Sequence, residues 1–209
     1  MGGAKRRIGM RRLARGDRLV LATHNHGKLR EIKELLNEAG IEVIGAADLC
    51  LAEPAEDAPD FSGNARIKAL AAARASGLPA LADDSGFQLA ALGGAPGVFS
   101  ARWAGPGNDF LAAFSRIETL LADRPDRRAS FCCALCMAWP DDGIVLFQGR
   151  VEGMFIFPPR GEGGFGYDPV FVPDGETRTY AEMTSAEKHR TSHRARALQA
   201  WREAVLPQP

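Results

Sequence analysis

Four short stretches of this chain combine carboxylates, cations, hydroxyls and glycines at spacings suited to a phosphorylated ligand. The first is Thr23-His24-Asn25-His26-Gly27-Lys28, between an apolar run and an amphipathic one. A helix starting there presents free N–H groups and a partial positive charge to an anion, while Lys28 adds a full charge and Thr23 a hydroxyl. The G-x-x-x-x-G-K spacing of a Walker loop is absent, and an ordinary strand-to-helix turn explains the stretch equally well. The second is Asp83-Asp84-Ser85-Gly86. Adjacent carboxylates at a strand end cannot both be buried without a cation or strong donors, and oxygen ligands favour magnesium. A turn with capping aspartates is the alternative. The third is Gly163-Gly164-Phe165-Gly166-Tyr167-Asp168-Pro169. Glycines let a backbone approach a ligand closely, and the rings of Phe165 and Tyr167 offer flat faces to a base. A glycine turn with two core aromatics fits the same letters. The fourth is Glu187-Lys188 followed by Ser192-His193-Arg194 at the start of the last helix. Cations there oppose the helix dipole, a local violation that points to a ligand or to solvated surface charge.

These stretches need a scaffold to bring them together. Arg18–Thr23 suits a buried strand, and Leu29, Ile32, Leu35, Leu36 and Ala39 form the stripe of a helix stopped by Gly40. Ile41–Ile44 is a second strand, and residues 52–60 form an acidic loop containing proline. Ser62 or Asn64 can cap a helix that runs to about Gly77. Pro79–Ala82 reads as a brief strand, and Asp83–Gly107 as a long loop too polar and glycine-rich for regular structure. Asp109 can cap a helix to about Ala122. Strands over about 128–139 and 143–155 flank Asp141-Asp142-Gly143, a hairpin signal. Pro169–Val172 is a short strand, and the last helix covers about 191–206 with Leu198, Trp201 and Val205 inward. Early alternation of helix and strand with a late hairpin predicts an α/β fold with a mixed sheet.

Composition narrows the class. The 209 residues are 45% apolar and 25% charged, ordinary for a globular chain with a real core. Net charge is zero but unevenly spread. Residues 1–18 hold Lys5, Arg6, Arg7, Arg11, Arg12, Arg15 and Arg18 against Asp17, so the remainder has 19 basic and 25 acidic side chains. An acidic body argues against a nucleic-acid-coating surface. Residues 1–17 are expected to be a basic, disordered extension ahead of one domain over 18–209. No secretory h-region and no membrane-length apolar run occurs, so neither a membrane nor a nucleic acid is expected as a partner. Cys50, Cys132, Cys133 and Cys136 lack the partners of a zinc site and read as free, small hydrophobes in a reducing cytoplasm.

Taken together, LATHNHGKLREIKELL (21–36), NARIKALAAA (64–73), ALADDSGFQLAALGGAPGVFSARWAG (80–105), GGFGYDPVFVP (163–173) and AEMTSAEKHRTSHRARAL (181–198) give the chain a strong resemblance to the inosine triphosphate pyrophosphatase family. The resemblance implies an elongated fold with two lobes around a nucleotide-binding cleft, usually as a homodimer. It implies magnesium-dependent hydrolysis of ITP, dITP and XTP to the monophosphate and pyrophosphate. Carried over by position, Thr23, His24, Asn25, His26, Gly27 and Lys28 would hold the triphosphate. Asp84 would bind metal and act as base, with Asp83 beside it, and Ser85 would contact substrate. Phe165, Gly166, Tyr167 and Asp168 would form the base and ribose pocket, completed by Lys188, His193 and Arg194. Lys28 and Lys188 would stabilise negative charge on the reacting phosphates.

One position departs from the family. Its members often carry Phe-x-Glu-Asn, whose glutamate helps hold the metal, whereas this chain has Phe61-Ser62-Gly63-Asn64. Either another acid substitutes, with Glu56, Asp57 and Asp60 nearby, or binding rests on Asp83, Asp84 and the phosphates. The expectation is that phosphates and waters fill the gap. Two rivals stay open: a pyrophosphatase for modified pyrimidine nucleotides, and a nucleotide-binding protein that has lost hydrolysis.

Overall fold

The computed structural model describes residues 11–23, 32, 33, 36 and 40–206. Its strands form one six-stranded mixed sheet in the order β2-β1-β3-β4-β5-β6. The strands are β1 (Arg18–Leu21), β2 (Glu42–Gly45), β3 (Ala80–Leu89), β4 (Arg128–Ala138), β5 (Ile144–Phe155) and β6 (Phe171–Pro173). β1 runs parallel to β2 and β3, and the pairs from β3 to β6 are antiparallel. The expected α/β fold with a mixed sheet is the fold observed. Residues 32, 33 and 36 are helical, and Ile32 and Leu36 are fully buried. The rest of that expected helix lies outside the described residues.

The main helices cover both faces of the sheet. α1 (Phe61–Ser76) is capped by Asp60, whose carboxylate accepts from the Gly63 amide at 2.7 Å. Neither Ser62 nor Asn64 serves as the cap, because both lie inside the first turn. Alanines 65, 69, 72 and 73 of α1 pack on Val20, Ala80, Ala82, Ala134 and Cys136. Small residues on both sides let helix and sheet approach closely. Two short helices follow, α2 (Ser100–Trp103) and α3 (Phe110–Leu120), the second capped by Asp109 as expected. α5 (His193–Val205) is the last helix expected from the sequence, and α4 (Ser185–Thr191) precedes it as a short helix that the sequence reading did not separate. Ser192 breaks them with extended backbone, and its hydroxyl accepts from the Ala195 amide at 3.2 Å.

The opposite face carries two apolar clusters end to end. Leu19, Leu21, Leu81, Leu135, Met137, Phe147, Leu198 and Trp201 form one. Phe87, Leu89, Phe131, Val151, Phe171 and Tyr167 belong to the other, with α3 above them. Successive strand residues alternate faces. Leu81 therefore shares its face with Phe87, and the positions between them on that face are Asp83 and Ser85. Polar side chains thus separate the two clusters along β3. α5 sits down on β5 at Gly149, where an added Cβ would lie 1.9 Å from the His193 carbonyl oxygen. A side chain there would lift the start of α5 off the sheet.

Two expectations about segments change. Asp83–Leu89 are strand, not loop, because β4 pairs with the whole of β3 from Ala80↔Ala138 to Leu89↔Ala129. That ladder satisfies the backbone whatever the side chains are. Residues 11–17 are not a loose extension. Leu13 is 3% exposed in the core, and its amide donates to the Val205 carbonyl at 2.8 Å. Arg11 pairs with Asp141. Residues 1–10 lie outside the described part. Among the described residues, no helix is long and apolar enough to cross a membrane.

Candidate active site

β1 pairs with β3 only at Val20↔Ala80 and Leu21↔Leu81. Beyond that point the β1-side edge of β3 carries Asp83, Asp84 and Ser85. In open α/β sheets, ligands bind beyond the carboxyl ends of parallel strands. Thr23 follows β1 there, half-buried, with its amide donating to the Leu21 carbonyl at 3.0 Å. The triphosphate residues expected next, His24, Asn25, His26, Gly27 and Lys28, lie outside the described residues.

Asp84 points toward α1. Its Oδ2 accepts from Asn64 Nδ2 at 3.1 Å, and its Oδ1 accepts from the Ser85 amide at 3.0 Å. Lys68 Nζ lies 3.8 Å from Asp84 Oδ1 and 3.0 Å from Glu56 Oε1. The sequence names Glu56 only as one of several nearby acids, and Lys68 was missed. The available signal was Asn64 and Lys68 four residues apart, a spacing that puts both on one side of a helix. A pocket beside this group is lined by Ala22, Ala46, Leu51, Glu53, Lys68 and Ala72.

Asp83 points the other way and is 2% exposed. The Ser85 hydroxyl donates to its Oδ2 at 3.1 Å, and Arg194 Nε lies 4.0 Å from that oxygen. Both charges are buried, so each compensates the desolvation of the other. The expected metal pair Asp83 and Asp84 is thus divided between two surroundings. Adjacent residues of a strand face opposite sides of the sheet, and these two carboxylates have different cations. His193, also buried, stacks on Phe131 with centroids 4.9 Å apart at 10°.

The glycine-rich loop lies near the same helix start. Asp168 Oδ2 accepts from the Phe165 amide at 2.8 Å and from the Lys188 ammonium. Asp168 is 2% exposed, while the Phe165 ring is 61% exposed with Lys188 Nζ 4.4 Å from its centroid. Arg194 stands 6.0 Å from the same ring. Phe165, Asp168, Lys188 and Arg194 are therefore brought together, with Gly166 in the loop between the first two. Lys188 has Asp168 as its counter-charge, and among the described residues Lys68 is a cation next to Asp84.

Tyr167 needs a correction. It is 3% exposed, stacked on Phe87 at 4.8 Å and flanked by Phe110 and Phe114. Its hydroxyl donates to the Ser100 carbonyl at 2.9 Å, and burial drives its pKa well above the usual phenol value. A ring enclosed on both faces cannot stack on a base. Tyr167 anchors the loop, and Phe165 is the exposed ring. Cys133 and Cys136 are buried thiols outside any disulfide, and burial pushes the Cys136 thiol up to about 12. Cys132 donates to Gln88 Oε1 at 3.0 Å.

A mixed α/β sheet with carboxylate–cation pairs on both sides of one strand is the framework of an α/β enzyme. The Ham1 family matches residues 19–204. A dITP/XTP pyrophosphatase of Gluconobacter oxydans is 57% identical over 197 residues, 94% of this chain and 95% of the relative. The dITP/XTP pyrophosphatase of Bradyrhizobium diazoefficiens is 56% identical over 201 residues, 90% of this chain and 95% of the relative. Among solved structures, a HAM1 protein from Coxiella burnetii superposes with a TM-score of 0.84 at 41% identity, covering 88% of this chain and 95% of its own. The Staphylococcus aureus Ham1 protein gives 0.83 at 34% identity, covering 90% and 97%. The chain belongs to the Ham1 family.

Proposed function

We propose that the chain hydrolyses dITP, XTP and ITP to the nucleoside monophosphate and pyrophosphate, with magnesium, and so clears non-standard purine nucleotides from the pool. The observation that carries the reading is the Asp84–Lys68 pair beyond the end of β1, in a chain 57% identical to a dITP/XTP pyrophosphatase. Thr23 to Lys28 and Lys68 take the triphosphate. Phe165, Gly166, Asp168, Lys188, His193 and Arg194 take the base and ribose, and Ser85 lines the passage between the two ends. Residence in the cytoplasm and assembly as a homodimer belong to the same reading.

The donor set beside Lys68 suits magnesium. It consists of carboxylate oxygens, and no group of three or more histidines, cysteines or acids gathers among the described residues. Magnesium commonly binds through one or two carboxylates plus waters and substrate phosphates. Held by Asp84, it would neutralise charge on the phosphate oxygens. Asp84 orients the attacking water and takes its proton as oxygen bonds to the α-phosphorus. The α-phosphorus–bridging oxygen bond breaks, and pyrophosphate leaves with the electron pair. Lys68 stabilises the negative charge spread over the phosphates.

Purine selectivity follows from hydrogen-bond polarity. Hypoxanthine and xanthine present a carbonyl oxygen at position 6, where adenine presents an amino donor. His193, Arg194 and loop amides donate to the carbonyl oxygen and leave adenine facing like donors, at about 1–3 kcal/mol for each unmatched buried group. Guanine must be refused at its 2-amino group. Chromatography of the products tests the reaction. dIMP and pyrophosphate in equal amounts are expected, and dIDP with orthophosphate would refute the assigned bond cleavage.

A further inference from the structure

On the edge of β3 that β1 leaves after Leu81, a side chain takes over from a strand. Ser100, the first residue of α2, is 8% exposed. Its hydroxyl oxygen accepts from the Phe87 amide at 2.8 Å and donates to the Gly97 carbonyl at 2.6 Å. Two residues further along β3, the Leu89 amide donates to the Ala95 carbonyl at 3.1 Å. Residues 95–100 are thus laid along β3 just past Asp84 and Ser85. Gly86 allows the approach. A Cβ there would lie 2.6 Å from the Gly97 carbonyl oxygen, 2.7 Å from Ser100 Oγ and 2.8 Å from the ring of Phe61, the first residue of α1.

Ser100 also closes a triangle. Its own carbonyl accepts from the Tyr167 hydroxyl at 2.9 Å, and the Tyr167 ring stacks on Phe87 with centroids 4.8 Å apart at 8°. Phe87 follows Asp84 by three residues, and Tyr167 follows Phe165 by two. The three contacts therefore hold the loop with the exposed ring against the strand with the carboxylate. The base end has a separate fastening in the pair of Asp168 with Lys188, so it keeps its shape when the triangle loosens.

We propose that Ser100 is a positioning residue for the reaction. Its hydroxyl sets the separation between the base-binding loop and Asp84, so that a nucleotide seated at one end presents its α-phosphate to the carboxylate at the other. Such a role matters because a misplacement of about 1 Å can cost about 100-fold in rate. The proposal rests on the hydrolysis of dITP put forward above.

The test pairs Ser100→Ala, which keeps the backbone carbonyl for Tyr167, with Tyr167→Phe, which keeps the hydroxyl for Phe87. Pyrophosphate release from dITP gives kcat and KM. Calorimetric titration with dIMP gives its Kd and the number of competent sites, to which kcat is referred. Ser100→Ala is expected to lower kcat per site about tenfold, with the Kd for dIMP within about twofold of wild type. Tyr167→Phe is expected to lower kcat per site about threefold, and the double variant no further than Ser100→Ala alone, since members of one network do not add. If Ser100→Ala does not fold, the kcat per site of Tyr167→Phe decides alone. Wild-type kcat per site in the variants, with fewer competent sites or a raised KM as the only change, would reduce Ser100 to packing and overturn the proposal. Full multiplication of the two effects in the double variant would overturn the triangle as one unit. No pyrophosphate release from dITP by the wild-type chain would instead overturn the reaction on which the proposal rests.

Discussion

Asp83 and Asp84 are neighbours in β3 yet serve opposite faces of the sheet, Asp83 beside Arg194 of α5 and Asp84 beside Lys68 of α1. In the proposed function, one strand would thereby supply a carboxylate to each end of the nucleotide. The Arg194 side lies by the exposed Phe165 ring, where the base is assigned. The Lys68 side lies by the end of β1, where the triphosphate is assigned.

Asp84→Asn keeps the size and the acceptor for Asn64 but removes the base. Turnover of dITP is expected to fall about 100- to 10,000-fold, the usual worth of a positioned general base, with the fold intact. Near-normal turnover in a steady-state assay would refute the assignment of Asp84.

Tyr167 separates a core role from a base-stacking role. Tyr167→Phe loses the hydrogen bond to Ser100 and is expected to cost about 1 kcal/mol in urea unfolding. The ratio of dITP to dATP turnover should stay unchanged. Phe165→Ala should instead raise KM for dITP, since stacking is worth about 1–3 kcal/mol per base. A selectivity change in Tyr167→Phe would contradict the buried ring.

Much of this was legible in the sequence. Two strand-like runs at about 128–139 and 143–155 around Asp141-Asp142-Gly143 marked the hairpin, and Asp109 marked its helix. β3 was not legible beyond Ala82, because Asp83-Asp84-Ser85-Gly86 has the composition of a loop and its ladder partner lies more than 40 residues away. The same distance hid the division of the two aspartates between faces. Lys68 was missed, and Glu56 was not singled out from its acidic neighbours, because their meeting depends on how the 52–60 loop folds over Gly63, which no local pattern encodes. The family resemblance named the Asp84 neighbourhood, but the burial of Tyr167 emerged only from packing.

Lys188→Met leaves the buried Asp168 carboxylate without its cation. A loss of about 3 kcal/mol is expected in urea unfolding, as for other buried pairs broken on one side. Adding Asp168→Asn should restore most of the stability while dITP binding stays weak. Full stability in Lys188→Met alone would show that the pair is not needed to keep Asp168 buried.

Glu187 gives a pH signature. Its carboxylate is held at about 2, below its usual 4.5, by the Thr184 amide, the Thr184 hydroxyl and Arg178. A lowered folded-state pKa contributes stability that is fully present above about 4.5 and lost as pH falls through about 2. Glu187→Gln should therefore melt with a flatter pH dependence than wild type across that window. Parallel curves would show that the capping interaction at the start of α4 has no share in acid sensitivity.

The most direct test of the account is pyrophosphate release from dITP, dATP and dGTP, each with magnesium and with EDTA. Release from dITP alone, abolished by EDTA, is the expected result. Equal release from dATP, or release that survives EDTA, would contradict the assigned selectivity or the assigned metal respectively.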